Sequence, residues 1–442
     1  MRTACISAKK NDNTSDAKSA DLPAGVLVIG GGPAGMTAAL FAARTGANVL
    51  LLERNDKLGK KLYITGKGRC NVTNTADFEA FFREVPRNPR FLHAAVRGFS
   101  QADLRALLQE WGVPTVEERG GRVFPAGQKA SDVTRALTRA LDAAGVRVRL
   151  GARVRALIQD EDAGAAAGVE LENGEVIRAP AVVIATGGAS YPATGSTGDG
   201  YALAGALGHT VHPPQPSLAP LVTRERWPTE LQGLSLKNVR LSARLDGRIV
   251  FSELGEMLFT HFGISGPLVL ELSSHVPSQR WTSCEVWLDT KPGLDEKQLD
   301  ARLLRDFEGL SRKQLRHALP GLLPARLAEM LPEMCGIPAD KPVHQVTKEE
   351  RRRLCALLKA LPLPIAQARP IAEAVITRGG VEVKEINPST MASKRAPGIY
   401  FAGEVIDVDA HTGGYNLQIA FSTGALAGAS AARYVNDKEA AE

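Results

Sequence analysis

The chain has 442 residues, of which 44% are hydrophobic and 23% charged, and its formal net charge is +6. This length predicts two or three domains, and the composition is ordinary for a globular protein. No apolar run approaches the ~20 residues that span a bilayer, so we expect no membrane-spanning helix. The positive charge favours an anionic cofactor over nucleic acid as a partner, and a surplus this small is most often a solvated surface.

The N-terminal residues 1–23 are polar and lack the apolar stretch of a secretory signal, which predicts a disordered leader. The chain contains five cysteines: Cys5, Cys70, Cys284, Cys335 and Cys355. An odd number without a C-x-x-C pair indicates reduced thiols rather than disulfides or a metal site. We therefore expect a cytoplasmic protein without a bound metal.

The first dense pattern lies at residues 26–54. An apolar run at Val26–Ile29 ends in glycines, a helical period follows over Ala34–Arg44, and a second apolar run at Val49–Leu52 ends at Glu53. This order predicts a strand, a tight turn, a helix and a second strand.

The predicted turn contains the pattern G-x-G-x-x-G at Gly30, Gly32 and Gly35. Gly30 permits a sharp turn, Gly32 lets a pyrophosphate approach the backbone, and Gly35 lets the helix pack closely on the strand. The phosphates would lie at the helix N-terminus, and Glu53 can accept both hydroxyls of an adenosine ribose. The segment therefore predicts a dinucleotide site, and by itself it leaves NAD and FAD open.

A glycine- and lysine-rich loop follows at residues 57–74. Its backbone can wrap phosphates while Lys60, Lys61 and Arg69 supply charge; the alternative is a solvated surface loop. Cys70 lies in this loop, but a redox role would normally require a partner thiol nearby.

Helices and short strands are predicted next. One helix opens at Ser100 and closes at Gly112, and a second runs from about Asp132 to Ala144 with Ser131 as its cap. The following four strands predict a small meander with a hairpin turn at Asn173-Gly174: Val146–Leu150, Val154–Ile158, Val169–Leu171 and Val176–Arg178.

An apolar strand within Val182–Ser190 ends in Ala-Thr-Gly-Gly and predicts a return to the dinucleotide sheet. A helix with a glycine-rich start follows in Thr197–Gly208. A dedicated NAD domain would show a second strand–GxGxxG–helix unit here, and the sequence has none, which favours FAD.

The sequence pattern changes in the middle of the chain. Residues 209–290 are β-rich, with a hairpin signal at Asp246-Gly247, and residues 291–368 are helical in period. His261 lies in the segment LFTHFGISGP and is a candidate catalytic group, although such a histidine is more often a hydrogen-bonded core residue. The basic helix at Lys348–Arg353 is better explained as a solvated face than as a membrane or nucleic-acid site.

The C-terminal part contains a strand at Ile399–Ala402, followed by Gly403 and Glu404, then a glycine loop and a helix from about Asn416. The Glu404 carboxylate can accept hydrogen bonds from a ribitol chain, and the helix N-terminus can face the flavin pyrimidine. The cofactor domain is therefore predicted to be discontinuous.

These blocks together resemble the HI0933-like flavoproteins, which include proteins described as aminoacetone-oxidase-like oxidoreductases. The blocks are GGGPAGMTAA at 30–39, GKGRCNVTN at 66–74, ATGG at 185–188, FTHFGISGP at 259–267, TRGGV at 377–381 and GIYFAGEVIDVDAHTGGYNLQIAFSTG at 398–424. The resemblance covers Ala24 to about Ala432, and the TGDG segment is similar to that of the fumarate reductase class.

The resemblance implies an α/β fold with a discontinuous Rossmann-like FAD domain of glutathione-reductase type, an inserted β-barrel-like domain and a small helical domain. The expected bounds are 24–200 and 374–435 for the FAD domain, 201–290 with 366–373 for the inserted domain, and 291–365 for the helical part. The expected FAD site comprises Gly30, Gly32, Pro33, Ala34, Gly35, Glu53, Arg54, Lys60, Lys61, Thr65, Gly66, Arg69, Val154, Thr186, Gly187, Gly403, Glu404, Asn416, Leu417 and Ile419.

The function expected from the resemblance is an FAD-dependent reductase, fed by NAD(P)H, that acts on an activated double bond of a small molecule. Two alternatives are an oxidase of a small amine or hydroxy compound and an RNA-binding or redox-sensing flavoprotein. Nucleic acid is the less favoured partner because aromatic residues that could stack on bases make up only 5% of the chain. The candidate proton donors are His261, Tyr63, Cys70 and His411.

Overall fold

A computed structural model describes residues 24–160 and 163–441. The predicted disordered leader at residues 1–23 lies outside the described residues. None of the helices within these ranges has the length and apolar character needed to cross a membrane.

Strands and helices alternate in the first part of the chain and again at its end. The strands are β1 Val26–Ile29, β2 Val49–Leu52, β3 Thr73–Asn74, β4 Thr115–Glu118, β5 Arg122–Pro125, β6 Arg147–Arg149, β7 Val154–Gln159, β8 Ala166–Leu171, β9 Val176–Arg178, β10 Ala181–Ile184, β11 Val211–Ser217, β12 Leu221–Thr223, β13 Ser235–Leu245, β14 Arg248–Thr260, β15 Gly263–Ser265, β16 Glu285–Asp289, β17 Leu361–Pro362, β18 Ile365–Ala368, β19 Ile376–Val381 and β20 Ile399–Phe401. The helices are α1 Pro33–Arg44, α2 Phe78–Arg83, α3 His93–Gly98, α4 Gln101–Glu110, α5 Ala130–Ala143, α6 Asp199–Ala206, α7 Trp227–Glu230, α8 Pro267–His275, α9 Glu296–Glu308, α10 Leu315–Ala318, α11 Ala325–Met334, α12 Lys348–Lys359 and α13 Tyr415–Ala441.

A five-stranded parallel sheet has the order β20-β10-β1-β2-β6. Strand β1 is central and fully buried, as expected of a strand covered on both faces. Because β20 pairs with β10, the sheet draws on both ends of the chain, and the predicted Rossmann-type fold is confirmed.

Helices α1 and α13 pack against each other through small residues. A Cβ on Gly424 would lie 2.3 Å from the carbonyl oxygen of Ala34, and one on Gly428 would lie 2.0 Å from that of Ala38. Larger residues at these two positions would therefore force the helices apart.

Two local predictions need correction. Strand β6 pairs in parallel with β2, so only β7, β8 and β9 form the antiparallel meander. A three-residue strand has no sequence pattern that distinguishes parallel from antiparallel pairing. The prediction that β6 belongs to the meander was therefore wrong. Helix α5 begins at Ala130 without a side-chain cap, so Ser131 lies inside its first turn.

A second buried cluster draws on residues 221–365, whereas the first draws on 24–204 and 381–435. The second surrounds a seven-stranded antiparallel sheet, ordered β17-β16-β13-β14-β15-β12-β18, and helices α8 to α12. The predicted hairpin is confirmed, since Asp246 and Gly247 have φ of +50° and +75° between β13 and β14. The barrel-like shape and the exact domain bounds stay predictions.

Candidate functional site

The turn after β1 has a different geometry at each of its three motif glycines. Gly30 has φ of +106°, which favours glycine. A Cβ on Gly35 would lie 1.8 Å from the carbonyl oxygen of Gly30, so the helix touches the turn directly. A Cβ on Gly32 would meet no atom within 4 Å, and no side chain caps α1 at this residue. The space beside Gly32 and the helix N-terminus can therefore accept a phosphate.

Glu53 lies buried at the carboxyl end of β2, next to this turn. Its Oε2 accepts the N–H of Gly31 at 2.6 Å, and its Oε1 accepts the backbone N–H and Nδ2 of Asn55, each at 2.7 Å. These bonds fix the carboxylate where a ribose would follow the phosphates.

The basic side chains near the turn are paired. Arg54 contacts Asp199 at 3.1 Å, and Lys60 contacts Asp56 at 3.2 Å. Arg69 bonds to Glu118 at 2.7 Å and lies 4.1 Å from the centroid of the Phe124 ring. These ion pairs neutralise much of the positive charge that we expected to bind phosphates. The roles of Arg54, Lys60 and Arg69 as cofactor ligands stay predictions.

Glu404 joins two loops and strand β19 at the carboxyl edge of the parallel sheet. It accepts Lys61 Nζ at 2.8 Å, the Thr377 N–H at 2.8 Å and the Ser190 hydroxyl at 3.2 Å. The predicted segment after β10 lies beside it, where the hydroxyl of Thr186 is buried without a hydrogen-bond partner among the described residues. A bound polar molecule would satisfy that hydroxyl.

The start of α13 is shaped by Asn416. Its Oδ1 accepts the N–H of Ala410 at 2.9 Å, and its Nδ2 donates to the Ala410 carbonyl at 2.7 Å. Asn416 thereby fixes the glycine loop before the helix, in which Gly413 has φ of +131°.

The remaining predicted cofactor residues have mixed settings. Gly66, Gly187 and Gly403 have φ of +56°, +75° and +75°. The Thr65 hydroxyl donates to the Leu62 carbonyl, Val154 and Ile419 are buried, and Leu417 is half-buried. Their contact with a cofactor stays a prediction.

The set fits FAD on structural grounds. The open space at Gly32, the buried Glu53 carboxylate and the unpartnered Thr186 hydroxyl lie at the carboxyl edge of one sheet. That edge is where open α/β sheets bind dinucleotides.

A second group of polar residues, here named the junction cluster, lies where the two buried cores meet: Glu84, Glu271, His275, Arg378 and His411. Glu84 follows α2, Glu271 and His275 share one face of α8, Arg378 belongs to β19, and His411 precedes α13. His411 Nδ1 lies 3.0 Å from Glu84 Oε2 and 3.7 Å from Glu271 Oε1. The rings of His275 and His411 are 5.0 Å apart.

Burial and charge set the pKa values in the junction cluster. Burial alone would lower the pKa of His411, but the hydrogen bond to Glu84 and the charges of Glu271 and Glu84 raise it overall. Burial raises the pKa of Glu271. Burial, followed by the charge of His411, lowers the pKa of His275 to about 4. These shifts favour the protonated form of His411 and the neutral form of His275.

The other predicted proton donors lie in different settings. His261 is exposed in the turn between β14 and β15. Tyr63 is half-buried with Lys57 Nζ 4.7 Å from its ring centroid. Cys70 is fully buried, and burial raises the pKa of its thiol to about 12, which favours a packing role. Of the four, His411 alone is placed in the junction cluster.

Sequence reasoning did not identify four residues of the junction cluster as site residues: Glu84, Glu271, His275 and Arg378. The spacing of Glu271 and His275 could have indicated a site, because residues four apart on a helix share a face. Ligand atoms of Glu271, His275 and His411 lie within 4.8 Å of one another, a grouping that is able to hold a metal ion. The predicted absence of a metal stays a prediction.

Comparison with known proteins gives the family. Residues 24–430 match the HI0933-like protein Rossmann domain. The chain is 32% identical over 410 residues to a 3-dehydro-bile acid delta(4,6)-reductase of Clostridium scindens, covering 92% of this chain and 98% of the relative. It is also 32% identical over 399 residues to a ribosomal RNA dihydrouridine synthase of Escherichia coli, covering 90% and 95%.

Among solved structures, the open conformation of a flavocytochrome c3 fumarate reductase matches with a TM-score of 0.49 and 20% identity, over 94% of this chain and 79% of that one. The extent of the family match and the two full-length relatives decide the assignment. The chain belongs to the HI0933-like family of FAD-dependent oxidoreductases.

Proposed function

We propose that the protein reduces a carbon–carbon double bond conjugated to a carbonyl, with NADH or NADPH as the electron source. The two relatives named above support this chemistry. One is a reductase of delta(4,6) double bonds in an oxo-substituted ring, and the other yields dihydrouridine, whose uracil ring has lost a double bond next to a carbonyl. Both names describe the saturation of an activated double bond.

The observation that carries the proposal is the setting of His411. It is buried and hydrogen-bonded to Glu84, and it lies five residues from Asn416 at the start of α13. His411 lies seven residues after Glu404, which follows strand β20 of the parallel sheet. An acid and a hydride source would thus share one site.

Under this proposal the FAD site comprises the motif glycines, Glu53, Thr186, Glu404 and the N-terminus of α13. FAD, when bound, supplies two-electron hydride chemistry. Glu53 would hold the ribose end of FAD, and Glu404 would hold its ribitol chain. Asn416 keeps the loop before α13 in place, and the positive N-terminus of this helix would stabilise negative charge on the bound flavin.

The substrate accepts a hydride at its β-carbon, and the electron pair of the double bond moves toward the carbonyl oxygen. His411 then donates a proton to the α-carbon. Glu84 keeps His411 protonated and, being half-buried at the edge of the cluster, can return a proton from solvent. Glu271 adds to the charge that holds the proton on His411.

A ribosomal RNA substrate is the second candidate, because one relative with 90% coverage of this chain carries that name. The many ion pairs of the basic side chains weigh against a large phosphate-binding face. We also infer the three-part domain division expected from the sequence, which places the junction cluster between the FAD domain and the inserted domain.

The test is an anaerobic stopped-flow measurement on the FAD-loaded protein. We expect NADH or NADPH to bleach the flavin absorbance and a cyclic enone, such as a 3-oxo-Δ4 steroid, to restore it. Restoration by a uridine-containing ribosomal RNA fragment and not by the steroid would favour the RNA substrate. Bleaching by an amine or hydroxy compound, with none by NADH or NADPH, would replace the reductase with an oxidase.

A further inference from the structure

Strand β19 contains the TRGGV block, to which the proposed reaction has so far given no role. Adjacent residues of a strand point to opposite faces, and the contacts follow this alternation. Thr377 faces Glu404, with its hydroxyl accepting the Ala189 N–H at 2.8 Å. Arg378 points the other way, toward the last turn of α8. One strand thereby contacts both the FAD site and the junction cluster.

The two glycines after Arg378 fix the backbone of the strand. Gly379 and Gly380 have φ of +95° and +131°, and a Cβ on either would lie 2.6 Å from a backbone oxygen, of Pro213 and Val405 respectively. Side chains at these positions would push β19 away from both neighbours. The start of the Arg378 side chain is therefore held in one place.

The guanidinium of Arg378 makes few hydrogen bonds for a half-buried charged group. It is half-buried, and its one hydrogen bond within the described ranges runs from Nη1 to the carbonyl oxygen of Ser274 at 3.5 Å, the long limit for such a bond. Among the described residues no carboxylate oxygen lies within 4.0 Å of it, whereas Arg87 contacts Asp407 at 2.9 Å. Burial, followed by the charge of Arg87, lowers the pKa of Arg378.

The nearby acids contact Arg87 and Ser217 at shorter range than Arg378. Asp407 accepts two hydrogen bonds from Arg87, at 2.9 and 3.0 Å. Asp409 accepts the hydroxyl of Ser217 at its Oδ2, at 2.8 Å, and its Oδ1 lies 3.7 Å from Arg87 Nε. A guanidinium has five N–H donors, so most of those of Arg378 are left for another acceptor. A planar, permanently charged donor group of this kind suits an anionic oxygen.

Arg378 also lies beside the proposed proton donor. Its bond to Ser274 places it next to His275, and its positive charge contributes to lowering the pKa of His275. His275 in turn packs 5.0 Å from the ring of His411. An oxygen bound by Arg378 would therefore belong to a molecule that His411 can reach.

We propose that Arg378 forms an oxyanion subsite, which binds the carbonyl oxygen of the substrate as that oxygen becomes an enolate; this rests on the proposed function. The hydride adds to the β-carbon, the π electrons move to the carbonyl oxygen, and Arg378 holds the negative charge there. The proton of His411 then bonds to the α-carbon, and the enolate returns to a ketone. Donors placed where charge develops stabilise the transition state most.

The probe is 4-nitrophenol, whose phenolate resembles an enolate and absorbs visibly. We expect the oxidised FAD-loaded protein to bind it as phenolate, which lowers the pKa of the bound phenol. R378M should weaken this binding about tenfold or more, as expected when a charged hydrogen bond is lost. R378K should lie between the two, because it keeps the charge and loses the planar fork.

The matched control is R240M. Arg240 is exposed on β13 and, like Arg378, has a 3.5 Å bond to a backbone carbonyl, that of Ser252. Flavin content and melting temperature identify variants that fail to fold, and R378K then serves in place of R378M. Binding of 4-nitrophenolate by R378M that equals that of wild type and R240M would overturn the subsite.

Benzoate distinguishes the source of the anionic oxygen. If R378M weakens phenolate and leaves benzoate unchanged, the subsite holds an enolate; the reverse result assigns it to a carboxylate of the substrate. Each of these results supports an anion subsite at Arg378. Because the phenolate measurement needs no turnover, it still tests Arg378 if the protein reduces no enone, a result that would refute the proposed function alone.

Discussion

The turn at Gly30–Gly35 and the junction cluster are built in opposite ways. The turn lies within a few consecutive residues, and its geometry is a matter of backbone conformation and missing Cβ atoms. The cluster gathers five side chains from the end of α2, from α8, from β19 and from the loop before α13, and its chemistry depends on burial and charge.

This difference separates two tasks. Holding phosphates requires N–H groups and open space, which a short local pattern can provide. Holding a proton near pH 7 requires an imidazole whose exposure to solvent and neighbouring charges set its pKa. In this protein, residues from both buried clusters surround the imidazole of His411. Changes in the turn should therefore affect folding and cofactor retention, and changes in the cluster should affect turnover.

The largest effect is expected from Gly35→Ala. Its Cβ would lie 1.8 Å from the Gly30 carbonyl oxygen, so α1 would have to move away from β1. We expect a loss of about 3 kcal/mol or more in stability, and little folded protein. Thermal melting followed by circular dichroism measures it.

Gly32→Ala is the matched control for that change. Its Cβ meets no atom within 4 Å, so the fold should persist while the phosphate space shrinks. Equal melting temperatures for Gly35→Ala and wild type would show that the helix does not need this close contact.

The next effect is expected at His411. His411→Asn should lower kcat by about 10²- to 10⁴-fold, the usual range for loss of a general acid. Flavin bleaching by NADH or NADPH should stay as in wild type, since that step needs no proton from the cluster. Steady-state and stopped-flow rates with the enone measure the two steps.

His261→Asn is the control, because His261 is exposed in the turn between β14 and β15. If His261→Asn loses turnover and His411→Asn does not, His411 is not the general acid, and His261 becomes the candidate.

The same contrast explains what the sequence could predict. The strand–turn–helix at residues 26–54 and the return of β10 to the sheet follow from local apolar periodicity and glycine spacing. The partners of His411 do not, because Glu84 and Glu271 lie 327 and 140 residues away and meet it only through the packing of two cores. The assignment of β6 to the meander failed since parallel pairing is decided by distant strands.

Glu53→Ala should have a smaller effect, on cofactor retention. The variant loses the proposed ribose contacts and the bonds that Glu53 accepts from Gly31 and Asn55. We expect FAD to bind about 10- to 100-fold more weakly, as for loss of charged hydrogen bonds. Flavin fluorescence released on dilution gives the Kd, and the exposed Glu172→Ala is the control. Unchanged FAD affinity would remove the ribose role from Glu53.

The smallest effect is a shift in the pH profile. If His411 is the acid, kcat falls as pH rises through its pKa, which lies above the ordinary histidine value of ~6.5. Glu84→Gln removes the hydrogen bond to a carboxylate and its charge, so the pKa of His411 falls and the alkaline limb of the profile should move to lower pH. The charges of Glu271 and Asp409 remain, and they keep the shift from being larger.

Glu79→Gln on helix α2, five residues before Glu84, is the matched control, because Glu79 is exposed and has no part in the junction cluster. The limb should stay in place in that variant. A limb that stays in place in Glu84→Gln as well would mean that another group supplies the proton. Because the turn at Gly30–Gly35 is untouched by either change, flavin content should equal that of wild type in both variants. The pH profile thus isolates the electrostatics of the cluster from the backbone geometry of the cofactor site.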